Sequence, residues 1–158
     1  MKLVGVISDT HIPSRSKAIP RKALEALKNV DIVIHAGDLV CLEVIDELRK
    51  IAPVVAVHGN MDPPKVRSLL PKMTILSVEG LKIGVVHRFY DAEKLIKDHK
   101  LDVLVFGHSH RPFTKVERGT FLINPGSPTF PLPPLLVKPS VAVLKIREGK
   151  IDHEIIKL

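Results

Sequence analysis

The sequence has no tryptophan, no glutamine, one tyrosine and one cysteine, and aromatic residues make up only 4% of it. Its core must therefore be built from Val, Ile, Leu and Ala. The lone Cys41 excludes an internal disulfide and a cysteine-based zinc cage, and its place after a loop favours burial over reactivity. Few aromatic rings are available to stack on bases, so nucleic acid is a disfavoured partner. No apolar run reaches the length of a membrane span, and no membrane partner is expected. The opening stretch MKLVGVISDTH has no small-residue cleavage site. It reads as a first strand and not a signal peptide, which implies a cytoplasmic protein. Scarcity of labile side chains beside many lysines is a composition shared with thermophile proteins.

What is present is a chain of 158 residues, 45% hydrophobic and 26% charged, the size and mix of one globular domain spanning 1–158. Net charge is +7, which favours anionic partners. The basic residues are scattered, so steering of a small anion or a solvated lysine-rich surface fits better than a nucleic-acid groove.

Five short, β-branched, nearly continuous apolar runs stand out: KLVGVIS (2–8), DIVIHA (31–36), PVVAVH (53–58), KIGVVH (82–87) and DVLVFG (102–107). Such runs suit strands covered on both faces. Helical patterns lie between them. Ala23, Leu24 and Leu27 share one face, as do Val44, Ile45, Leu48 and Ile51. DAEKLIKDHK (91–100) would open on Asp91 as N-cap and bury Leu95 with Ile96. The last third reads as two hairpins, turning at Arg118-Gly119 and Glu148-Gly149. Between them, residues 124–139 carry six of the thirteen prolines and must form an irregular loop. The pattern predicts an α/β fold of two packed sheets with helices outside, strands one to three being parallel and joined by right-handed crossovers.

Each of the five runs ends in a potential metal ligand. They are Asp9 with His11, Asp38, Asn60, His87, and His108 with His110. Any one of these is an ordinary turn residue or packed imidazole; the recurrence at successive strand ends is the signal, because ligands of open α/β sheets bind there. Imidazole with carboxylate suits Mn, Fe, Co, Ni or Zn better than Mg or Ca. Seven ligands exceed what one ion takes and suit two ions about 3.5–4 Å apart sharing a carboxylate. Asp38 is the natural bridge. Two divalent ions less two carboxylates leave a surplus charge matching a hydroxide and one phosphodiester anion. Arg88 and Arg111 are further candidate anion contacts, with Asn60. His35 and His58 read as supporting or packing residues, and His99 and His153 as solvent-exposed.

The set DTH, GD, GN, a lone His after a strand, and GHSH resembles the calcineurin-like metallophosphoesterase pattern. The NPGS stretch (124–127) and the short chain resemble its small phosphodiesterase branch of the YfcE type. The resemblance runs through nearly the whole sequence. It implies a four-layer α/β/β/α sandwich of two mixed sheets flanked by helices. It also implies a dinuclear site, manganese foremost, with nickel, cobalt, iron or zinc as other candidates. Asp9, His11 and His110 would hold one ion, Asn60, His87 and His108 the other, and Asp38 both. Asp38, Asn60 and His87 would then act through the metals, with Asp62 either orienting the site or serving a plain turn in DPP. The reaction implied is in-line attack of metal-activated water on a small phosphoester. Three positions depart from the pattern. Met61 stands where many relatives have a proton-donating His, Arg88-Phe89 replace the Gly-His that commonly follow His87, and Leu132 replaces an Arg. Two rival readings are a non-catalytic scaffold on this fold, as in the similar retromer subunit, and a nuclease. The apolar stretch FPLPPLLV is compatible with a homodimer.

Overall fold

The computed structural model describes residues 1–158. One sheet has the order β10-β9-β1-β2-β3, formed by Lys150–Lys157, Ser140–Arg147, Lys2–Ile7, Ile32–His35 and Val54–Ala56. The other has the order β4-β5-β6-β8-β7, formed by Met73–Val78, Leu81–Val86, Val103–Val105, Thr120–Pro125 and Pro112–Glu117. β1, β2 and β3 are parallel, as the alternation of strand and helix requires, and β1 is antiparallel to β9. In the second sheet β5, β6 and β8 are parallel, with β4 and β7 antiparallel at the edges.

The continuity of the apolar runs has a direct cause. Within β1, Val4 and Val6 face the second sheet, joining Ile34, Val85, Val103, Val105, Ile123 and Leu144 in the core between the sheets. Ile7, pointing the other way, packs with Ala23, Leu27, Val44, Ile45 and Leu48 under α1 (Arg21–Leu27), α2 (Glu43–Arg49) and α3 (Pro64–Leu69). Leu104 turns to the outer face of the second sheet, against Leu95 of α4 (Glu93–Asp98). Strands sandwiched in this way have no polar face. The result is the expected α/β/β/α arrangement.

Differences from the sequence expectation fall at the edges. β4 and α3 carry no clear period, since β4 is only half-buried and α3 buries Val66 alone. Asp91 does not cap a helix; it lies in a 3-10 turn, Phe89–Ala92, and pairs with Lys72 and Arg88. Leu95 is buried but Ile96 is 45% exposed, because six residues of helix turn only one apolar position inward. Both expected hairpins form. A third turns at Glu79-Gly80, and in all three the Xaa-Gly pair has positive φ at both residues, the backbone of a type I′ turn. Cys41 is half-buried, and desolvation raises its thiol pKa. His99 and His153 are exposed, as expected.

Candidate metal centre

The seven strand-end residues meet at one end of the sandwich, where the two sheets' loops interlock. Asp9 N–H donates to Gly37 O at 3.0 Å and His11 N–H to Asp38 O at 3.0 Å, tying the loops after β1 and β2. Gly107 N–H donates to His87 O at 2.9 Å, tying those after β5 and β6. The two sheets are joined by His108 N–H, which donates to Asp9 Oδ2 at 3.0 Å.

Six of the seven residues fall into two ligand groups, Asp9-His11-His110 and Asp38-His87-His108, with the ligand atoms of each group within 4.8 Å of one another. In the first, His110 Nε2 is 3.2 Å from Asp9 Oδ1 and 3.2 Å from His11 Nε2. In the second, His87 Nε2 is 3.1 Å from Asp38 Oδ2. That same Oδ2 lies 3.6 Å from His11 Nε2, so Asp38 stands between the groups. Asn60 is exposed and lines the clefts on both sides, one beside His87 and one beside Asp38, His108 and His110.

The donor atoms fit divalent cations. His87 Nδ1 donates to Ala36 O at 2.8 Å and His110 Nδ1 to Phe130 O at 2.6 Å, which turns each Nε2 lone pair inward. Asp9 Oδ1 and His87 Nε2 are buried with no hydrogen-bond partner. Buried acceptors left in this way are costly unless a cation satisfies them. The electrostatics agree. Burial opposes ionisation of Asp9, but His11, His110 and the charge of His87 outweigh it and hold the carboxyl well below the usual range. Burial likewise opposes protonation of His87 and His110, yet the Asp38 and Asp9 carboxylates beside them raise both pKa values. The cluster thus attracts positive charge, as protons or as metal ions that displace them.

The supporting residues were only partly visible in the sequence. Asp62 is buried and accepts three backbone N–H groups, from Asp38 at 2.9 Å, Val40 at 2.6 Å and Gly59 at 2.6 Å. It therefore fixes the loops bearing Asp38 and Asn60. Met61 N–H holds Asp38 Oδ1 at 2.8 Å, while its side chain is 61% exposed. His35 is wholly buried; its Nδ1 accepts Gly37 N–H at 3.1 Å, so its Nε2–H donates to Thr10 Oγ1 at 3.0 Å. Burial lowers its pKa to about 4. It is a neutral strut and not a ligand.

The NPGS stretch acts as a clasp. Asn124 Nδ2 donates to Gly107 O at 2.8 Å, and Ser127 Oγ donates to Asp9 O at 2.8 Å while accepting Phe130 N–H at 2.8 Å. Two polar residues without charge gave no sequence signal beyond the motif itself. Asp9, His11, Asp38, His108 and His110 all have positive φ, between 44° and 70°. Such strain in non-glycine residues is concentrated at functional sites, and these clasps hold it in place. Two of the glycines before ligands are required by space. A Cβ on Gly59 would lie 2.0 Å from Asp38 Oδ1, and one on Gly107 2.0 Å from Ser8 Oγ.

The two candidate arginines lie apart. Arg88, paired to Asp91 and stacked on Tyr90, lines the cleft shared by Asn60 and His87. Arg111 is exposed on a separate cavity with Phe89, Phe106 and Phe113. His58 lines the Arg88 cleft.

Residues 1–149 match the calcineurin-like phosphoesterase superfamily domain. The chain is 40% identical over 162 residues to a probable metallophosphoesterase of Methanothermobacter thermautotrophicus, covering 98% of this chain and 92% of that protein. It is 32% identical over 142 residues to a phosphodiesterase of Methanocaldococcus jannaschii, covering 78% and 82%. Among solved structures it superposes on zinc-complexed Vps29 of Entamoeba histolytica with a TM-score of 0.76 at 29% identity, covering 98% of each chain.

Proposed function

Because this chain belongs to the calcineurin-like phosphoesterase superfamily, we propose that it is a metal-dependent phosphodiesterase working at a dinuclear centre. The observation that carries the reading is the pair of three-residue ligand groups meeting at Asp38, with Asp9 Oδ1 and His87 Nε2 buried and without a hydrogen bond. Asp9, His11 and His110 would hold one ion, His87, His108 and Asn60 the other, and Asp38 both. When bound, the ions supply Lewis acidity that activates water and neutralises the phosphoryl oxygens. Manganese is the proposed metal.

The protein's own groups position and select. The Nδ1–H donations of His87 and His110 to carbonyl oxygens fix both rings, so their Nε2 atoms stay aimed inward. Asp62 holds Asp38 and the Asn60 loop in register through backbone N–H groups alone. Asn60 and Arg88, which line one cleft, would contact substrate oxygens; Arg111 lines a separate cavity. Met61 offers a thioether at the mouth and cannot protonate a leaving group. Esters with good leaving groups should therefore be cleaved faster than alkyl monoesters.

The test is metal analysis followed by a panel of aryl and alkyl phosphoesters with Mn, Ni, Co, Zn and Mg. Aryl diesters should be favoured; equal rates on aryl and alkyl esters would contradict the leaving-group argument. Asp38→Ala should lose metal binding and hydrolysis together, and retained hydrolysis would overturn the mechanism. A scaffold is the second reading, favoured by the likeness to Vps29 and by Leu135 and Leu136, 98% and 84% exposed on the proline-rich loop. A protein that binds two ions yet turns over no ester in the panel would support it.

A further inference from the structure

We propose that the cleft beside His87 is a subsite for a second phosphate, and that the substrate is a phosphodiester carrying a terminal phosphomonoester. The proposal rests on the phosphodiesterase reading and specifies its substrate. The cleft is a cavity of about 250 Å³ with no apolar side chain in its wall. Its lining includes Asn60 and His87, from the candidate metal-binding set, together with Arg67, Lys72, Arg88 and Asp91. A cavity without hydrophobic lining does not suit a base or an aliphatic arm, which prefer largely apolar walls.

Charge decides what it takes. Three cations face one carboxylate. Asp91 pairs with Lys72 at 3.0 Å and with Arg88 at 3.0 Å, holding both heads in the cleft. Arg67 meets only carbonyl oxygens, donating from Nε to Asp62 O at 2.7 Å and from Nη2 to Asn60 O. Its charge has no anionic partner. The surplus of two positive charges is separate from the surplus at the metal centre, which a hydroxide and one diester anion already match. A phosphomonoester, with a charge of about −1.5 to −2 at neutral pH, fits what remains. Arginine and lysine together supply the donors such a group requires. Because Asn60 and His87 belong to both the cleft and the candidate ligand set, the cleft adjoins the proposed metal centre.

The experiment compares kcat/KM of the manganese-loaded protein on TpT, pTpT and TpTp, which share one scissile diester and differ only in a terminal phosphate. At least one phosphorylated form should exceed TpT by about tenfold or more, mainly through KM. The 5′ and 3′ forms identify which arm enters the cleft. In Lys72→Ala and Arg88→Ala the ratio to TpT should fall towards one; Lys72 is half-exposed, so its variant keeps the fold. Ratios within about twofold for all three substrates, or a preference surviving both substitutions, would overturn the proposal. Calorimetry separates it from the catalytic reading. Thymidine 3′,5′-bisphosphate should bind more tightly than thymidine 5′-monophosphate, and Lys72→Ala should remove the difference. If no diester is cleaved but this difference is present, phosphodiesterase activity fails and the anion subsite stands; if diesters are cleaved and it is absent, the subsite fails.

Discussion

Replacing Asp62 by Asn tests whether the centre is held by one buried carboxylate. Asp62 Oδ2 accepts Asp38 N–H and Gly59 N–H, and Oδ1 accepts Val40 N–H at 2.6 Å, with the side chain buried. Asparagine keeps the shape. Its one oxygen can serve the first two donors, but its NH2 group must then face Val40 N–H. One charge-assisted bond is lost, one buried donor is stranded, and the others weaken with loss of charge. A bond to a charged group contributes about 1.5–3 kcal/mol and a stranded donor costs about 1–3 kcal/mol. These terms overlap within one network, so the expected loss is about 3 kcal/mol, or roughly 10 °C in Tm for a chain of this size. Urea unfolding in chelator reads this without metal linkage. Metal titration should show both binding events weakened, since Asp38 would serve both ions. The larger loss, about 10–100-fold, should fall at the ion shared with Asn60, because Asp62 orients the loops of Asp38 and Asn60 but touches neither Asp9 nor His110. A variant as stable as wild type that binds both ions normally would refute the reasoning.

Three further predictions follow the same geometry. His35 has a folded pKa lowered from 6.5 to about 4, so the unfolded chain takes up its proton first. This contribution to stability is present above about pH 6.5 and is lost as pH falls towards 4, about 3 kcal/mol in metal-free protein; His35→Asn should flatten that part of the profile in urea melts, and parallel profiles would refute the assignment. Gly59→Ala places a Cβ 2.0 Å from Asp38 Oδ1 and should lower metal affinity and hydrolysis by about 100-fold with little change in the far-UV spectrum; wild-type affinity would show that the loop yields. Ser127→Ala removes the donor to Asp9 O and the acceptor of Phe130 N–H, costing about 1–3 kcal/mol in denaturant melts, with an unchanged midpoint as the contrary result.

Much of the fold was legible because burial on both faces makes strands continuous in hydrophobicity, and β1, β2, β5 and β6 are of that kind. β4 was not, since an edge strand half-buried along its length has no period to read. Ile96 misled because an apolar residue marks a buried face only when the helix is long enough to present one. At the centre, the candidate ligands were legible through residue type at strand ends. The clasps were visible only as members of the motif set, not in how they act: Asp62 works through backbone N–H groups 22 and 24 residues earlier, and Ser127 reaches across 118 residues.

The sequence by itself determined which residue types stand at the ends of the buried strands, where the Xaa-Gly hairpins turn, and the family to which the motif set belongs. These are local matters, set by side-chain chemistry and by the dihedral preferences of a few neighbouring residues. The resemblance implied the grouping of Asp9 with His110 and the bridging place of Asp38. Only the tertiary structure decided the distances that bring them together and that the His87 and His110 imidazoles present Nε2 inward. It also decided that an all-polar cleft adjoins His87. Such relations depend on how two sheets pack and how deeply water is excluded between them, and distances across that interface are not written in the period of any one strand.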